Sequence, residues 1–546
     1  MALNNDFNYF GIMLECSRNA VPNIKFLKEY IDDIAKMGYN CLQLYTEETY
    51  ELEDEPMFGY LRGKFTKNEL KEINAYSKAK GVEIMPCIQT LAHLNCALRW
   101  YPYCSYTDCD DILLIDDDRT YALIEKMIST MRECFDTEYI HIGMDEAHMV
   151  GLGKYLDKHG YKNRFEILTH HLRKVIEIVK KYDFKPMIWS DMFFRLANGG
   201  QYYSRKPFNF PEGLFDAVPS EVALCYWDYY SKEKELYDNM FREHKRFNNE
   251  IWFAGGCWSW GGFTPSNYTS MEAHSLAIPS CKEFGVKNVL ITSWGDNGHE
   301  TSKIATHASL FHVICLAKGI TDVNVMDEEF KKLFGISMQD ALKLDYANEI
   351  ERHNSLYDFI GANANNPAKY MLYNDPFMGI YDSTANRTAT NDYKRYAKEL
   401  LNYVNDEKFG YVFDTQQKLC DVLSIKYALG VKTRKAYLAK DMVALKKIIG
   451  NYKTLNKKLI AFIDAFKKQW FIENKAFGWE VQDARLGGLL QRLKTCAERL
   501  TAYVNGEIDS IPELEQTIEV AWLNPKLKGK TLYWNQYNRN MTAGVM

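Results

Sequence analysis

Over its first 325 residues the chain alternates short apolar runs with longer amphipathic stretches. The runs are Tyr9–Glu15, Cys41–Tyr45, Glu83–Gln89, Tyr139–Asp145, Pro186–Asp191, Val222–Asp228, Ile251–Trp258 and Asn288–Trp294, all of strand length. Between most of them lie helical patterns, among them Asn23–Lys36, Lys67–Lys80, Thr120–Cys134 and Phe165–Lys181. Parallel strands need a crossover between them, and a helix is the usual one. Eight strands alternating with helices therefore predict the α/β class, as a (β/α)8 TIM barrel.

From about residue 326 the pattern changes. Lys/Glu/Leu/Ala-rich segments with helical periodicity follow one another: Asp327–Leu333, Met338–Asn348, Asn391–Val404, Asp414–Tyr427, Val443–Lys468 and Leu486–Asn505. No strand pattern returns. The expected organisation is a (β/α)8 domain over residues 1–325 and an all-α C-terminal domain over 326–546, the latter offering a candidate surface for a homodimer. Asn474–Gly478 and Arg485–Gly488 interrupt the helical periodicity.

Composition narrows the chemistry. A net charge of −5 with mixed signs along the chain argues against nucleic acid as a partner. Aromatic residues reach 14%, with 37 Tyr and 11 Trp, which suits carbohydrate ligands as well as ordinary cores. Thirteen cysteines show no Cys-x-x-Cys spacing, so reduced thiols are expected rather than a disulfide framework or a zinc site. His148, His170 and His171 lack metal-ligand spacing, and no metal or other cofactor is predicted. The opening residues lack a leader pattern and no run approaches the roughly 18 apolar residues of a membrane span, so a cytoplasmic location without a membrane partner is expected.

The predicted strands end in residues of chemical interest: Glu15, Glu47, His93, Asp145 and Glu146, Trp189 and Asp191, Tyr226 and Asp228, Trp258, and Trp294 and Asp296. In parallel barrels the carboxyl ends of the strands build the active site. Asp145 and Glu146 carry the most weight. Adjacent carboxylates disfavour each other's ionisation, which suits a site needing one acid protonated and one ionised; an acid-rich surface turn is the alternative. Neighbours on a straight strand point to opposite faces, so the pair can share a pocket only where the strand curls into its loop.

Cleavage of a glycosidic bond uses two carboxylates in this way. The end of the seventh run carries Gly255, Gly256, Cys257, Trp258 and Trp260 but no acid, so the usual position of an attacking carboxylate is not filled. A 2-acetamido sugar can attack its own anomeric carbon. Asp145 would then orient the acetamido N–H, with Glu146 as general acid and afterwards base.

At this point the chain resembles glycoside hydrolase family 20, the β-N-acetylhexosaminidases, over roughly residues 6–320. The family's His-x-Gly-Gly-Asp-Glu signature appears as His141-Ile142-Gly143-Met144-Asp145-Glu146, with Met144 at the second glycine. The resemblance implies a (β/α)8 catalytic domain, no metal, retention of anomeric configuration and an oxazolinium-like intermediate. It also implies Tyr226 on the acetamido oxygen and Asp228 on sugar hydroxyls, from Tyr226-Trp227-Asp228. Trp294-Gly295-Asp296 looks like the family's stacking tryptophan and hydroxyl-binding acid. Trp189 resembles the pocket-wall tryptophan, and His93 the histidine that supports the catalytic Asp through an acid, here Glu47 or Glu48. Trp258 is divided between pocket wall and barrel packing. Phe10 stands where many members have a sugar-gripping arginine, a role for which Glu15 and Arg18 are the replacements. A divergent bacterial branch without the family's N-terminal domain is implied.

The expected activity is removal of terminal non-reducing β-GlcNAc or β-GalNAc from a small carbohydrate or glycoconjugate, by substrate-assisted retaining hydrolysis. Two alternatives stay open: a retaining β-glycosidase with Asp228 or Asp296 as an ordinary nucleophile, and a non-catalytic sugar-binding barrel.

Overall fold

The computed structural model describes residues 6–354, 366–385, 388–519 and 537–544. Residues 1–5, on which the leader expectation partly rests, lie outside them. The chain forms two compact units. The first comprises Met1–Cys257, Ser270–Trp294 and Ser309–Met326; the second comprises Trp258–Thr269, Gly295–Ala308 and Asp327–Met546. The sequence suggested a single cut after residue 325. The second unit additionally takes in the segments that follow two of the barrel strands.

The first unit is a closed, all-parallel barrel. Its strands are β1 (Tyr9–Glu15), β2 (Cys41–Tyr45), β3 (Glu83–Cys87), β6 (Tyr139–His141), β7 (Lys185–Trp189), β8 (Ala223–Trp227), β9 (Ile251–Gly256) and β10 (Asn288–Ser293). Each pairs with the next, and β10 closes on β1. A small antiparallel hairpin, β4 (Thr107–Cys109) with β5 (Ile112–Leu113), sits in the loop after β3 and has no counterpart in the sequence pattern. Six of the eight barrel strands stop short of the apolar runs that predicted them, because the chain leaves the ladder where the chemically interesting residues begin.

Local signals place the helices. Asn23 caps Ile24–Met37 by accepting the Phe26 N–H, and Gly38 ends that helix at φ 100°. Thr66 and Glu69 form a capping box at the start of Lys67–Ala79. At the amino end of the barrel Tyr9 stacks on Trp252 at 5.4 Å, and Tyr139 meets the same ring edge-on. These rings close the bottom of the barrel.

The second unit is helical. In its longest helix, Met442–Glu473, the buried residues Leu445, Ile448, Tyr452, Leu455, Leu459, Phe462, Phe466 and Trp470 recur every three or four positions. Helix Trp479–Val504 runs straight through Gly487 and Gly488, where an interruption was expected. The cost of each glycine is about 1 kcal/mol, and the stripe of Leu486, Leu489, Leu493, Cys496 and Leu500 carries the helix past them. Buried polar residues hold the two inserted segments within this unit. Lys369 Nζ lies 2.7 Å from Glu300 Oε2 with both side chains fully buried, and Arg485 reaches Glu300 Oε1 at 2.9 Å. Glu473 accepts the Lys303 N–H at 2.9 Å, and Gln416 donates to the Phe263 carbonyl at 2.6 Å. Among the described residues no helix is long and apolar enough to cross a membrane.

Gly11 is a point of close approach between β1 and β2. A Cβ there would lie 2.1 Å from Cys41 Sγ and 2.7 Å from the Cys41 carbonyl oxygen. Gly11→Ala should therefore destabilise the protein by about 1–3 kcal/mol through overpacking, read as a lower midpoint in urea unfolding. An unchanged midpoint would contradict this packing.

Candidate active site

The ladder of β6 ends at His141, and the backbone then passes through left-handed conformations at Gly143 (φ 72°), Met144 (φ 73°) and Glu146 (φ 48°). Glycine is required at 143, where a Cβ would meet Gln89 Oε1 at 2.0 Å and the Ile88 carbonyl at 2.9 Å. Met144 accepts the same backbone region without being glycine, and its N–H donates to Gln89 Oε1 at 3.2 Å. This curl cancels the alternation of a straight strand. Both acids consequently face one histidine: His93 Nε2 is 3.3 Å from Asp145 Oδ2 and 3.7 Å from Glu146 Oε2.

The two carboxyls occupy different environments. Asp145 is buried and receives the Gln89 side-chain N–H on Oδ1 at 2.7 Å. Burial alone would raise its pKa, but the facing His93 charge and the hydrogen bond from Gln89 hold it below the usual range. Burial opposes charge on His93 as well; the negative Asp145 against it, helped by Glu47, nevertheless pushes it up to about 10. The two form an imidazolium–carboxylate pair. The Glu146 side chain, by contrast, is 41% exposed, with Arg195 3.4 Å from its Oε1. Beneath them His141 is buried and accepts the Gly143 N–H on Nδ1 at 3.1 Å. Desolvation drives its pKa down to about 3, so this ring is neutral.

A hydrogen-bonded chain ties the strand ends together. Glu15, fully buried, accepts from Ser17 and from Arg18 Nε at 2.9 Å. Arg18 reaches Glu47 at 3.3 Å, the Tyr45 hydroxyl donates to Glu47 at 3.0 Å, and Gln89 donates to the Tyr45 oxygen at 2.9 Å. Gln89 then leads to Asp145. Aromatic walls stand beside this chain: Trp294 meets Tyr45 edge-on at 4.8 Å and Trp189 at 6.1 Å, and Trp189 lies 4.3 Å from His141.

Asp145, Glu146, His93, Glu15, Arg18, Trp189 and Trp294 are thus gathered at the carboxyl end of the barrel. His93 meets Asp145 directly, without the intervening acid that was expected; Glu47 is held by Tyr45 and Arg18, and Glu48 by Arg62 at 2.8 Å. Tyr226 needs correction. It is fully buried against Phe241 and His244 of helix Lys234–His244, so it points into the helix layer and away from the barrel mouth. Asp228 is also spoken for. Its Oδ1 accepts the N–H groups of Tyr230 and Ser231, and its Oδ2 accepts the hydroxyls of Tyr226 and Ser231. This carboxylate shapes the turn after β8 and has no lone pair left for a sugar hydroxyl.

From the same segment it is Trp227 and Tyr229 that turn inward. They stack at 5.3 Å, and the Tyr229 hydroxyl interacts with Trp294 and Thr292 within the electrostatic reach of Asp145. Register explains the reversal: Trp189 pairs with Cys225, so Cys225 and Trp227 share the inward face and Tyr226 the outward one. Trp258 and Asp296 belong to the second unit. There Trp258 stacks on Trp260 at 4.1 Å and donates its indole N–H to the Trp260 carbonyl, while the Asp296 carbonyl accepts the Gly261 N–H at 3.1 Å. Gln89, Tyr45, Arg195 and Tyr229 were missed. Among the described residues no group of three or more His, Cys, Asp or Glu side chains could hold a metal ion.

Fold and site together define a (β/α)8 barrel with a carboxylate pair at its strand ends. The family model "Glycosyl hydrolase family 20, catalytic domain" matches residues 7–240, and "Glycoside Hydrolase 20C C-terminal domain" matches residues 340–533. The chain belongs to glycoside hydrolase family 20. It is 22% identical over 218 residues to beta-hexosaminidase 3 of Arabidopsis thaliana, covering 37% of this chain and 39% of that relative. With human hexosaminidase D it is 23% identical over 224 residues, covering 39% and 43%. The chain thus spans about two fifths of the length of these curated relatives. Among solved structures, the exo β-N-acetylglucosaminidase of Vibrio harveyi aligns over 62% of this chain and 58% of that one, at 14% identity and a TM-score of 0.46.

The His93–Asp145 pair makes stability depend on pH. The folded-state pKa of His93 is about 10 against an ordinary 6.5, so its contribution is complete below pH 6.5 and is lost as pH rises toward 10. Asp145, shifted downward, loses its contribution only in acid. The melting temperature of wild type should fall between pH 6.5 and 10 more steeply than that of His93→Gln. Parallel melting curves across that range would show that the ion pair does not form.

Proposed function

We propose that this chain is an exo-acting β-N-acetylhexosaminidase that releases terminal non-reducing β-GlcNAc or β-GalNAc with retention, the substrate's acetamido oxygen serving as nucleophile. The observation that carries the reading is the split character of the acid pair: a buried, ionised Asp145 beside a half-exposed Glu146. An acetamido group attacking its own anomeric carbon develops positive charge on nitrogen. A fixed anion next to the N–H stabilises that charge and orients the amide. Asp145 suits this role because Gln89 and His93 hold it in one orientation and in its charged form.

Glu146 reaches solvent and suits the proton traffic. It would protonate the leaving oxygen and then remove a proton from the water that opens the oxazolinium-like ring. Trp189, Trp294 and Tyr45 offer faces and edges on which a sugar ring can pack. Tyr229, and not Tyr226, is the tyrosine we assign to the acetamido oxygen. The ordinary double-displacement alternative loses support at Asp228, whose oxygens are consumed by four hydrogen bonds. All thirteen cysteines are unpaired thiols, which fits a reducing compartment such as the cytoplasm.

Loss of general acid catalysis costs about 10²–10⁴-fold, and that cost depends on the leaving group. Glu146→Gln should lose kcat by that order on a phenyl β-N-acetylglucosaminide and far less on a dinitrophenyl one. Asp145→Asn should impair both, because ring closure itself suffers. Equal losses across leaving groups for Glu146→Gln would refute its assignment as the acid. A matched pair of aryl glycosides tests the nucleophile: the 2-acetamido sugar should turn over and the 2-hydroxy sugar should not. Equal rates would favour a carboxylate nucleophile, and binding without turnover of either would favour a sugar-binding barrel.

A further inference from the structure

Asp191 opens the short helix Asp191–Ala197 directly after β7, and it is fully buried. Neither its own helix nor a surface ion pair accounts for its position. One carboxylate oxygen, Oδ2, accepts the backbone N–H of Glu146 at 3.2 Å and the Nε–H of Arg195 at 2.9 Å. The other, Oδ1, has no hydrogen-bond partner among the described residues. Arg195 extends onward from Asp191 to Glu146, its NH2 3.4 Å from Oε1. A third contact, from NH1 to the Gly200 carbonyl at 3.2 Å, and the rings of Tyr202 and Trp227 at 5.7 and 5.6 Å fix the guanidinium in place.

Glu146 is thereby held at both ends, by its backbone N–H on Asp191 and by its carboxyl on Arg195. The backbone needs such a hold, since a glutamate at φ 48° is strained. An Asp–Arg pair four residues apart is common on helix surfaces and by itself means little. A helix-stabilising pair, however, has no reason to be buried or to bond the backbone of another strand's loop.

The geometry points to Asp191 and Arg195 as a positioning pair that fixes the carboxyl of Glu146 in one orientation. This inference rests on the role of Glu146 proposed above. Around Asp191 stand Asp145 and Glu146 from the loop after β6, Arg195 on its own helix and Tyr202 beyond it; His93, from the loop after β3, faces the two acids. Burial and the nearby Asp145 push the Asp191 pKa up to about 7 against the pull of Arg195.

The test uses the full chain. Backbone amides of 15N-glutamate-labelled protein are followed by NMR, Glu146 being the resonance absent from Glu146→Gln. Asp191→Asn should shift that amide resonance, because a neutral amide replaces the charged acceptor of the Glu146 N–H, and Arg195→Gln should lower kcat on the phenyl substrate, with Arg195→Lys restoring most of it. Asp191→Asn should lower kcat at least ~10-fold on the phenyl substrate, a loss of the size that misplacement of a catalytic group produces. KM and the rate on the dinitrophenyl substrate should change less than about twofold, since little proton donation is needed there. An unmoved Glu146 amide resonance in a folded Asp191→Asn, or equal losses on both substrates for Asp191→Asn, would overturn the inference. If wild type cleaves neither substrate, the functional proposal fails on its own, and the amide resonance still decides the positioning role.

Discussion

An ionised carboxylate inside a barrel is costly unless its charge and lone pairs are met. The mouth of this barrel is arranged around that constraint at Asp145. His93 supplies the counter-charge and Gln89 the hydrogen bond. Gln89 can approach only because residue 143 lacks a Cβ, and its amide oxygen is in turn satisfied by the Met144 N–H. The left-handed turn, the missing side chain and the ion pair form one device. None of the three makes sense without the other two.

The same logic extends around the rim. Arg18 sits between Glu15 and Glu47, and Arg62 neutralises Glu48, so acids from neighbouring strands coexist by sharing cations. Tyr45 and Gln89, both uncharged, carry the connection to Asp145 without adding charge. Arg18 is also half-exposed, which leaves its guanidinium able to meet a ligand hydroxyl while keeping both acids in place.

Much of the barrel was legible because strand-length apolar runs and helical periods differ in repeat, and each run fell on an observed strand. Where the strands stop was not legible. The residues after His141 read as a continuing strand, whereas their φ values take them out of the ladder. Asp145 and Glu146 could be found because paired charge in an apolar setting is a strong signal. Gln89 carries no charge and gives no such signal. Tyr226 and Asp228 share a face, as their spacing requires, but a run that is apolar on both sides does not say which face is inward. Only the Trp189–Cys225 register decides it, and it selects Trp227. The glycine pair at 487–488 misled in the opposite sense, since a stripe of buried leucines outweighs a local propensity.

The segments following β9 and β10 carry Trp258, Trp260 and Asp296, yet their backbone and side-chain partners are Gln416, Glu473, Lys369 and Arg485, far downstream. Severing the polypeptide near residue 326 would leave Glu300 and the 302–303 backbone without the groups that neutralise and saturate them. The helical portion is therefore no detachable module. Shuffling it for another would demand simultaneous rewriting of two loops encoded far earlier in the chain, so the two stretches of sequence are bound to evolve as a single heritable block.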